Sequence, residues 1–220
     1  MTKSWSFSAW ECFSRCRAQY NYKYNLKTKM DVPTPDYFVK GRRVHEVLAE
    51  YVSVPSRTIA PDEVKKEIEF IEQLATWPAH KIVEQQWGFT ANWSPCNWKT
   101  AWYRGICDVA VDYGDWGEVI DWKTGKRWGS NDEQMNCFAT MAMHRWPLWE
   151  GVTTRLVYVE TGGQELADYL RSALPELTAK WNARAAEMFA ECDWAPQPGE
   201  HCSRCDYAKS KGGPCRFGGV

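Results

Sequence analysis

Arg104-Gly105-Ile106-Cys107-Asp108-Val109-Ala110-Val111-Asp112, followed shortly by Val119-Ile120-Asp121-Trp122-Lys123-Thr124-Gly125, decides the fold class of this chain. Both runs are apolar and rich in β-branched residues, and the turn signal Gly114-Asp115 lies between them. That pattern predicts two strands joined as a hairpin. Asp108 stands near the start of one strand and Asp121 near the end of the other, so antiparallel pairing brings them side by side. Each interrupts an apolar run and is expected to be partly buried. A buried carboxylate without a partner is costly, and a divalent cation is the usual remedy. Lys123 follows Asp121 by two residues and therefore points to the same face of its strand.

Two carboxylates and a lysine on one face suit phosphodiester hydrolysis. The carboxylates hold Mg²⁺ or Mn²⁺, which neutralises the phosphate and activates a water. The lysine orients that water or stabilises the charge of the pentacoordinate state. The same spacing also fits a hairpin that carries an ordinary Asp–Lys ion pair, because short Asp-x-Lys sequences are common.

Outward from the hairpin, the periodicity predicts helices on the N-terminal side. Ser8 and Glu11 stand at capping-box spacing, and Trp10, Phe13 and Tyr20 fall near one face of a first helix. Thr34 as N-cap and Pro35 at the first helical position open a second, through about Tyr51, in which Phe38, Gly41, Val44, His45 and Leu48 recur at helical spacing. A third is expected from about Pro61 to Ala75. Lys81 to Thr90 reads as a strand, like Trp102 to Tyr113 and Glu118 to Trp122. Asn131 to Arg145 returns to helix and Arg155 to Glu160 is a short β-rich run. Gly162-Gly163 is expected to lead into a long amphipathic helix reaching about Glu191. The fold class is α/β, expected as a single domain over 1–220: N-terminal helices (1–78), a core with the long helix (79–192) and a Pro-, Gly- and Cys-rich tail (193–220).

The bulk numbers narrow the classes. A chain of 220 residues holds one domain with a proper core, not two full ones. No run approaches the ~18 apolar residues of a membrane span, and the opening Met-Thr-Lys-Ser-Trp-Ser-Phe-Ser lacks a signal peptide's apolar stretch, so the expected location is the cytoplasm, with no membrane partner. A formal net charge of −1 gives no global sign of nucleic-acid binding, but residues 1–43 carry nine basic side chains against three acidic ones. That excess can line a phosphate-facing surface or be a solvated helical face. Most of the fourteen tryptophans are expected in the core, with one or two free to stack on bases.

Nine cysteines in a reducing compartment point to a metal or cluster rather than a disulfide framework. Cys202-Ser-Arg-Cys205 with Cys215 supplies three thiolates, so a fourth ligand must come from elsewhere, and the adjacent His201 is one candidate. Either zinc or an iron–sulfur cluster would hold a tail of low propensity in place.

Gly105-x-x-Asp108 followed by a strand ending in Asp121-x-Lys123 resembles the core of the PD-(D/E)XK nuclease superfamily, in its RecB-like exonuclease branch. Gly41-Arg-Arg-Val-His45 is similar to that branch's Gly-x-x-x-His helix, whose histidine adds a metal ligand. Glu84 corresponds to a glutamate of the preceding strand. Gln134-Met-Asn-Cys-Phe138 resembles its Gln-x-x-x-Tyr helix, with phenylalanine in place of tyrosine. The resemblance implies a restriction-endonuclease-like core, a mixed central sheet flanked by helices. It implies that His45, Asp108, Asp121 and the Trp122 carbonyl bind Mg²⁺ or Mn²⁺, with His45, Asp108, Asp121 and Lys123 catalytic and Lys123 the base or water-orienting group. Gln134, Arg104 and Glu84 are its candidates for contact with DNA.

Ser8-Ala-Trp10-Glu-Cys-Phe13-Ser-Arg-Cys16 is similar to the opening of the cluster-bearing members, which include CRISPR-associated and AddB-type nucleases. There the resemblance implies that Cys16, Cys202, Cys205 and Cys215 bind a [4Fe–4S] cluster that staples the tail; Cys12, one turn earlier, competes with Cys16. No Gly-x-x-x-x-Gly-Lys-Ser/Thr loop is present, so the expected substrate is DNA that is single-stranded or has free ends, in recombination, repair or phage DNA metabolism, with partner proteins in recombination. An endonuclease on the same fold and a non-catalytic nucleic-acid-binding protein stapled by zinc or a cluster are the alternatives.

Overall fold

The two decisive strands form β3 (Tyr103–Asp112) and β4 (Trp116–Lys123), which pair antiparallel with Val109 opposite Ile120 and Asp112 opposite Gly117. Gly114 closes the turn at φ 101°, a conformation that costs glycine nothing. The computed structural model describes residues 3–54, 64–126 and 131–218. These divide into two compact units, Pro35–Ala179 and a terminal unit of Lys3–Thr34 with Lys180–Val220.

In the first unit, β1 (His80–Phe89), β2 (Pro95–Cys96), β5 (Gly151–Tyr158) and β6 (Gln164–Leu170) complete a six-stranded sheet in the order β2-β1-β3-β4-β5-β6. Only β4 and β5 run parallel, so the sheet is mixed. The connection between them is α5 (Asp132–Arg145), as parallel neighbours require a crossover. On one face, α3 (Asp36–Ser53) and α4 (Ile68–Thr76) bury Val44, Leu48, Ile71 and Leu74 against Val109, Ile120, Trp122 and Val157. Lys81 closes the C-terminus of α4, its Nζ donating to the carbonyls of Leu74, Ala75 and Trp77 at 2.7–2.9 Å.

Four expectations need correction. Pro35, not Thr34, is the N-cap of α3, and the helix opens at Asp36. α4 begins at Ile68, not Pro61: residues 61–63 lie outside the described residues, and the N–H groups of Lys65 and Lys66 both donate to the Val159 carbonyl, which ties that segment to the end of β5 instead of a helix. Gly162-Gly163 is not a helix lead-in. With φ of 81° and 98° these glycines turn the chain back into β6, and α6 starts only at Leu174, running to Ala190. In the terminal unit, Ser6 rather than Ser8 caps α1 (Phe7–Arg15), its Oγ accepting the Ala9 N–H at 3.2 Å. There Trp5, Phe7 and Trp10 surround Trp181 of α6, with ring centroids 5.1–6.0 Å away.

His144, near the end of α5, stacks on Trp93 and lies 2.9 Å from Thr178 Oγ1. Burial, helped by the charge of Arg171, pushes its pKa down to about 4. The unfolded chain's histidine titrates near 6.5, so below that pH the unfolded state takes up a proton that the folded state refuses. Stability is therefore expected to fall as pH drops from about 6.5 to about 4, over and above the carboxylate effects. Urea denaturation of the parent and His144→Gln across that window checks it. The difference between the two curves should slope with pH, and parallel curves would show that burying His144 costs nothing.

Candidate active site

The hydrogen-bond ladder between β1 and β3 runs from His80–Asp112 to Phe89–Tyr103 and skips one position, Glu84 opposite Asp108. Glu84 has φ 48°, a left-handed backbone that costs a non-glycine residue about 1 kcal/mol or more. Side-chain alternation slips there in both strands. Val83 packs with the α3–α4 core and Trp87 with Trp146; Val109 joins that same core, whereas Tyr103 hydroxyl lies 3.2 Å from Cys137 Sγ on α5. A one-residue slip exchanges faces. The strain sits where the carboxylates gather, which is where a fold holds such a conformation for use.

Three ligand-bearing side chains meet at this slip. His45 Nδ1 is 3.2 Å from Asp108 Oδ2 and 4.0 Å from Glu84 Oε1. His45, Glu84 and Asp108 form the one set of three histidine, cysteine or acidic residues, among the described residues, whose ligand atoms all lie within 4.8 Å. Asp108 Oδ2 also accepts the Trp122 N–H at 2.9 Å, which fixes its carboxylate against β4. α3 delivers His45: a Cβ on Gly41 would stand 3.2 Å from Thr124 Oγ1, so glycine lets the helix approach the end of β4 closely.

Asp121 and Lys123 share a face, as two-residue spacing demands. Lys123 Nζ is 2.6 Å from Asp121 Oδ2 and donates to Gln134 Oε1 at 2.7 Å, while Gln134 Nε2 donates to Asp121 Oδ1 at 3.4 Å. Gln134, in the first turn of α5, thus bridges the acid and the lysine. The Trp122 ring is buried in the α3–α4 core. Arg104 lies away from this group: it donates to the Lys99 carbonyl at 3.0 Å and covers the Trp98 ring.

Burial raises the Asp121 pKa against the pull of Lys123, with the Asp108 charge adding to the rise. Burial likewise raises Glu84, again reinforced by Asp108. His45 is disfavoured as a cation by burial, yet the hydrogen bond to Asp108 and the surrounding carboxylates raise its pKa on balance. Three crowded carboxylates outnumber the one lysine beside them, and the donor set of carboxylate oxygens with one imidazole fits a small hard cation. The residues present therefore fit a divalent metal. Glu84 is exposed, as a glutamate in a strand suggests; what the sequence does not carry is its left-handed backbone, which nothing local encodes.

The four cysteines of interest lie in the terminal unit, where Cys16, Cys202, Cys205 and Cys215 line a single cavity together with His201 and Tyr207. Cys16 breaks the helix between α1 and α2 (Arg17–Tyr20) with an extended backbone, φ −160° and ψ 112°. Cys12 is buried on α1, its thiol pushed up to about 11 by that burial, and does not line the cavity.

Clustered carboxylates, a histidine and a lysine on a mixed sheet flanked by helices fit one class, the metal-dependent nucleases. Within it, residues 4–210 match the PD-(D/E)XK nuclease superfamily. The chain belongs to that superfamily. No curated protein matches it.

Proposed function

We propose that the chain is a metal-dependent DNA exonuclease of the RecB-like, iron–sulfur type, acting on single-stranded or processed ends in recombination, repair or phage DNA metabolism. The observation that carries the nuclease chemistry is the convergence of His45, Glu84 and Asp108 beside the Asp121–Lys123–Gln134 triangle. His45, Asp108 and Asp121, with the Trp122 carbonyl and now Glu84, would hold Mg²⁺ or Mn²⁺. The metal supplies positive charge for the phosphate and lowers the pKa of a bound water. Lys123 presents its ammonium where negative charge develops, and orients the attacking water. Gln134 is the positioning residue, because its amide holds the lysine and the acid in one geometry. The preference for ends rests on the resemblance of the Gly41-x-x-x-His45 and Gln134-x-x-x-Phe138 helices to the RecB-like branch.

The cysteine cavity supports the cluster part of this reading. Four thiols lining one cavity are the number that closes either a [4Fe–4S] or a zinc site, and the resemblance of the Ser8–Cys16 opening favours the cluster. Cys16 is the N-terminal ligand in this reading, since it lines the cavity and Cys12 does not.

Anaerobically purified protein, incubated with Mn²⁺ and either linear or circular single-stranded DNA, tests the function. Shortening of the linear strand from an end, with the circle untouched, is expected. Cutting of the circle would transfer the reading to an endonuclease, and binding without cleavage under every divalent metal would reduce the protein to a binding module.

A further inference from the structure

Tyr37, Phe38 and Val39 open α3 with 64%, 61% and 46% of their surfaces exposed, three consecutive apolar side chains facing solvent. The Tyr37 and Phe38 rings stack on each other, centroids 4.8 Å apart and planes 30° from parallel. Helical geometry relates them to the active site. Phe38 precedes His45 by seven residues, so at about 100° per residue it lies within roughly 20° of the same face, and at about 1.5 Å per residue it stands roughly 10 Å along the axis. Gly41, between them, is where α3 meets the end of β4. Phe38 lies N-terminal to that contact, exposed in the first turn of α3.

Cations stand nearby, each beside a carboxylate: Lys40 Nζ is 2.7 Å from Glu160, and the Arg42 Nε is 3.9 Å from Glu46, an exposed pair that a phosphate can displace. An aromatic platform beside cations, continuous with a phosphodiester-cleaving site, has the chemistry that binds unpaired nucleotides: rings for the bases and positive charge for the backbone. The interior of a duplex offers no free base face to such a platform. The separation of about 10 Å corresponds to roughly three stacked nucleotide steps of about 3.4 Å.

We propose that Phe38, backed by Tyr37, is a substrate-positioning platform on which an unpaired base stacks within about three nucleotides of the scissile phosphate. The proposal rests on the nuclease reading above and deepens it by naming the residue that positions the single strand at its point of entry. Binding of a fluorescein-labelled oligothymidylate to the full chain in EDTA, followed by anisotropy, separates it from catalysis. Phe38→Ala is expected to weaken binding about tenfold, in the range that base stacking on an aromatic ring provides. Phe38→Trp should restore it, and Leu148→Ala, at another exposed apolar residue, should leave it unchanged. An oligonucleotide with one abasic position, moved stepwise from the end, should at one register bind the parent and Phe38→Ala alike. In Mn²⁺, Phe38→Ala should raise KM with little change in kcat. Equal binding by parent and Phe38→Ala, a parent that prefers duplex, or an abasic series without a special register would each overturn the platform. A parent that binds the single strand through Phe38 and cleaves nothing would instead overturn the nuclease reading and leave the platform standing.

Discussion

Asp108→Asn is expected to lower the cleavage rate by about a thousandfold or more while leaving the fold intact. The rate follows from charge. A Lewis-acidic cation contributes several kcal/mol to a phosphoryl transition state, and about 1.4 kcal/mol is a factor of ten. Asp108 sits between His45 and the N–H of Trp122, so on the proposed assignment its loss removes the ligand that joins α3 to β4. The fold survives for a separate reason. An asparagine oxygen still accepts the Trp122 N–H, and the substitution removes one of the crowded negative charges that raise the pKa values of Glu84 and Asp121. A thermal scan distinguishes the two effects. A ligand at a hundred times its Kd stabilises the parent by about 2.7 kcal/mol, worth roughly 5–10 °C in a chain of this size. Mn²⁺ should therefore raise the parent's Tm and leave the variant's where it stands. A variant that cleaves at the parent's rate would remove Asp108 from the centre.

The β3–β4 hairpin was legible because two signals agree there, apolar β-branched runs and a Gly-Asp turn; Asp108, expected near a strand start, lies in the middle of β3. The same agreement made Asp121 and Lys123 legible as neighbours, since strand geometry alone puts residues two apart on one face. β6 was not legible. Gln-Glu-Leu-Ala-Asp-Tyr-Leu sits at the sheet's edge with Leu166 and Leu170 exposed, and a mixed polar–apolar edge strand lacks the alternation that burial on one face imposes. Only its pairing with β5 makes it a strand. Glu84 shows a second kind of failure. Its backbone conformation is set by tertiary packing against the residue's own preference, so the site's most unusual feature leaves no local trace.

The two sites differ in what they ask of the chain around them. The carboxylate cluster is built on strands and helices that the core holds independently, with Val109, Ile120 and Trp122 buried beside it. The cysteine cavity has no such scaffold. Its tail contains two short 3₁₀ turns, Glu200–Arg204 and Lys209–Lys211, and an isolated bridge between Ala208 and Cys215. Its buried cluster is Cys205, Tyr207 and Ala208, with Tyr22, Met30 and Cys215 packed against it. Gly213 comes so near the backbone of Tyr207 that a Cβ would stand 2.2 Å from its carbonyl carbon. Such a segment follows a tight path with little apolar area to hold it there.

Cys205→Ser is accordingly expected to cost more stability in the terminal unit than any single apolar truncation there. Structural metal sites in small domains contribute on the order of 10 kcal/mol to folding, because the unfolded chain has no preformed site. Cys205 is buried, and burial raises its thiol pKa; a serine hydroxyl in its place cannot serve as a thiolate ligand and would itself be buried. On the cluster reading, the variant should lose its iron and its broad visible absorption together. The tail should then become a site of early proteolysis, while the Pro35–Ala179 unit keeps its resistance. Cys192→Ser is the matched control, an exposed cysteine outside the cavity, and should keep full iron content. A parent that contains zinc and no iron would retain the staple and replace the cluster. A Cys205→Ser protein with unchanged metal content and an equally protected tail would show that the four cysteines share a cavity without sharing a ligand.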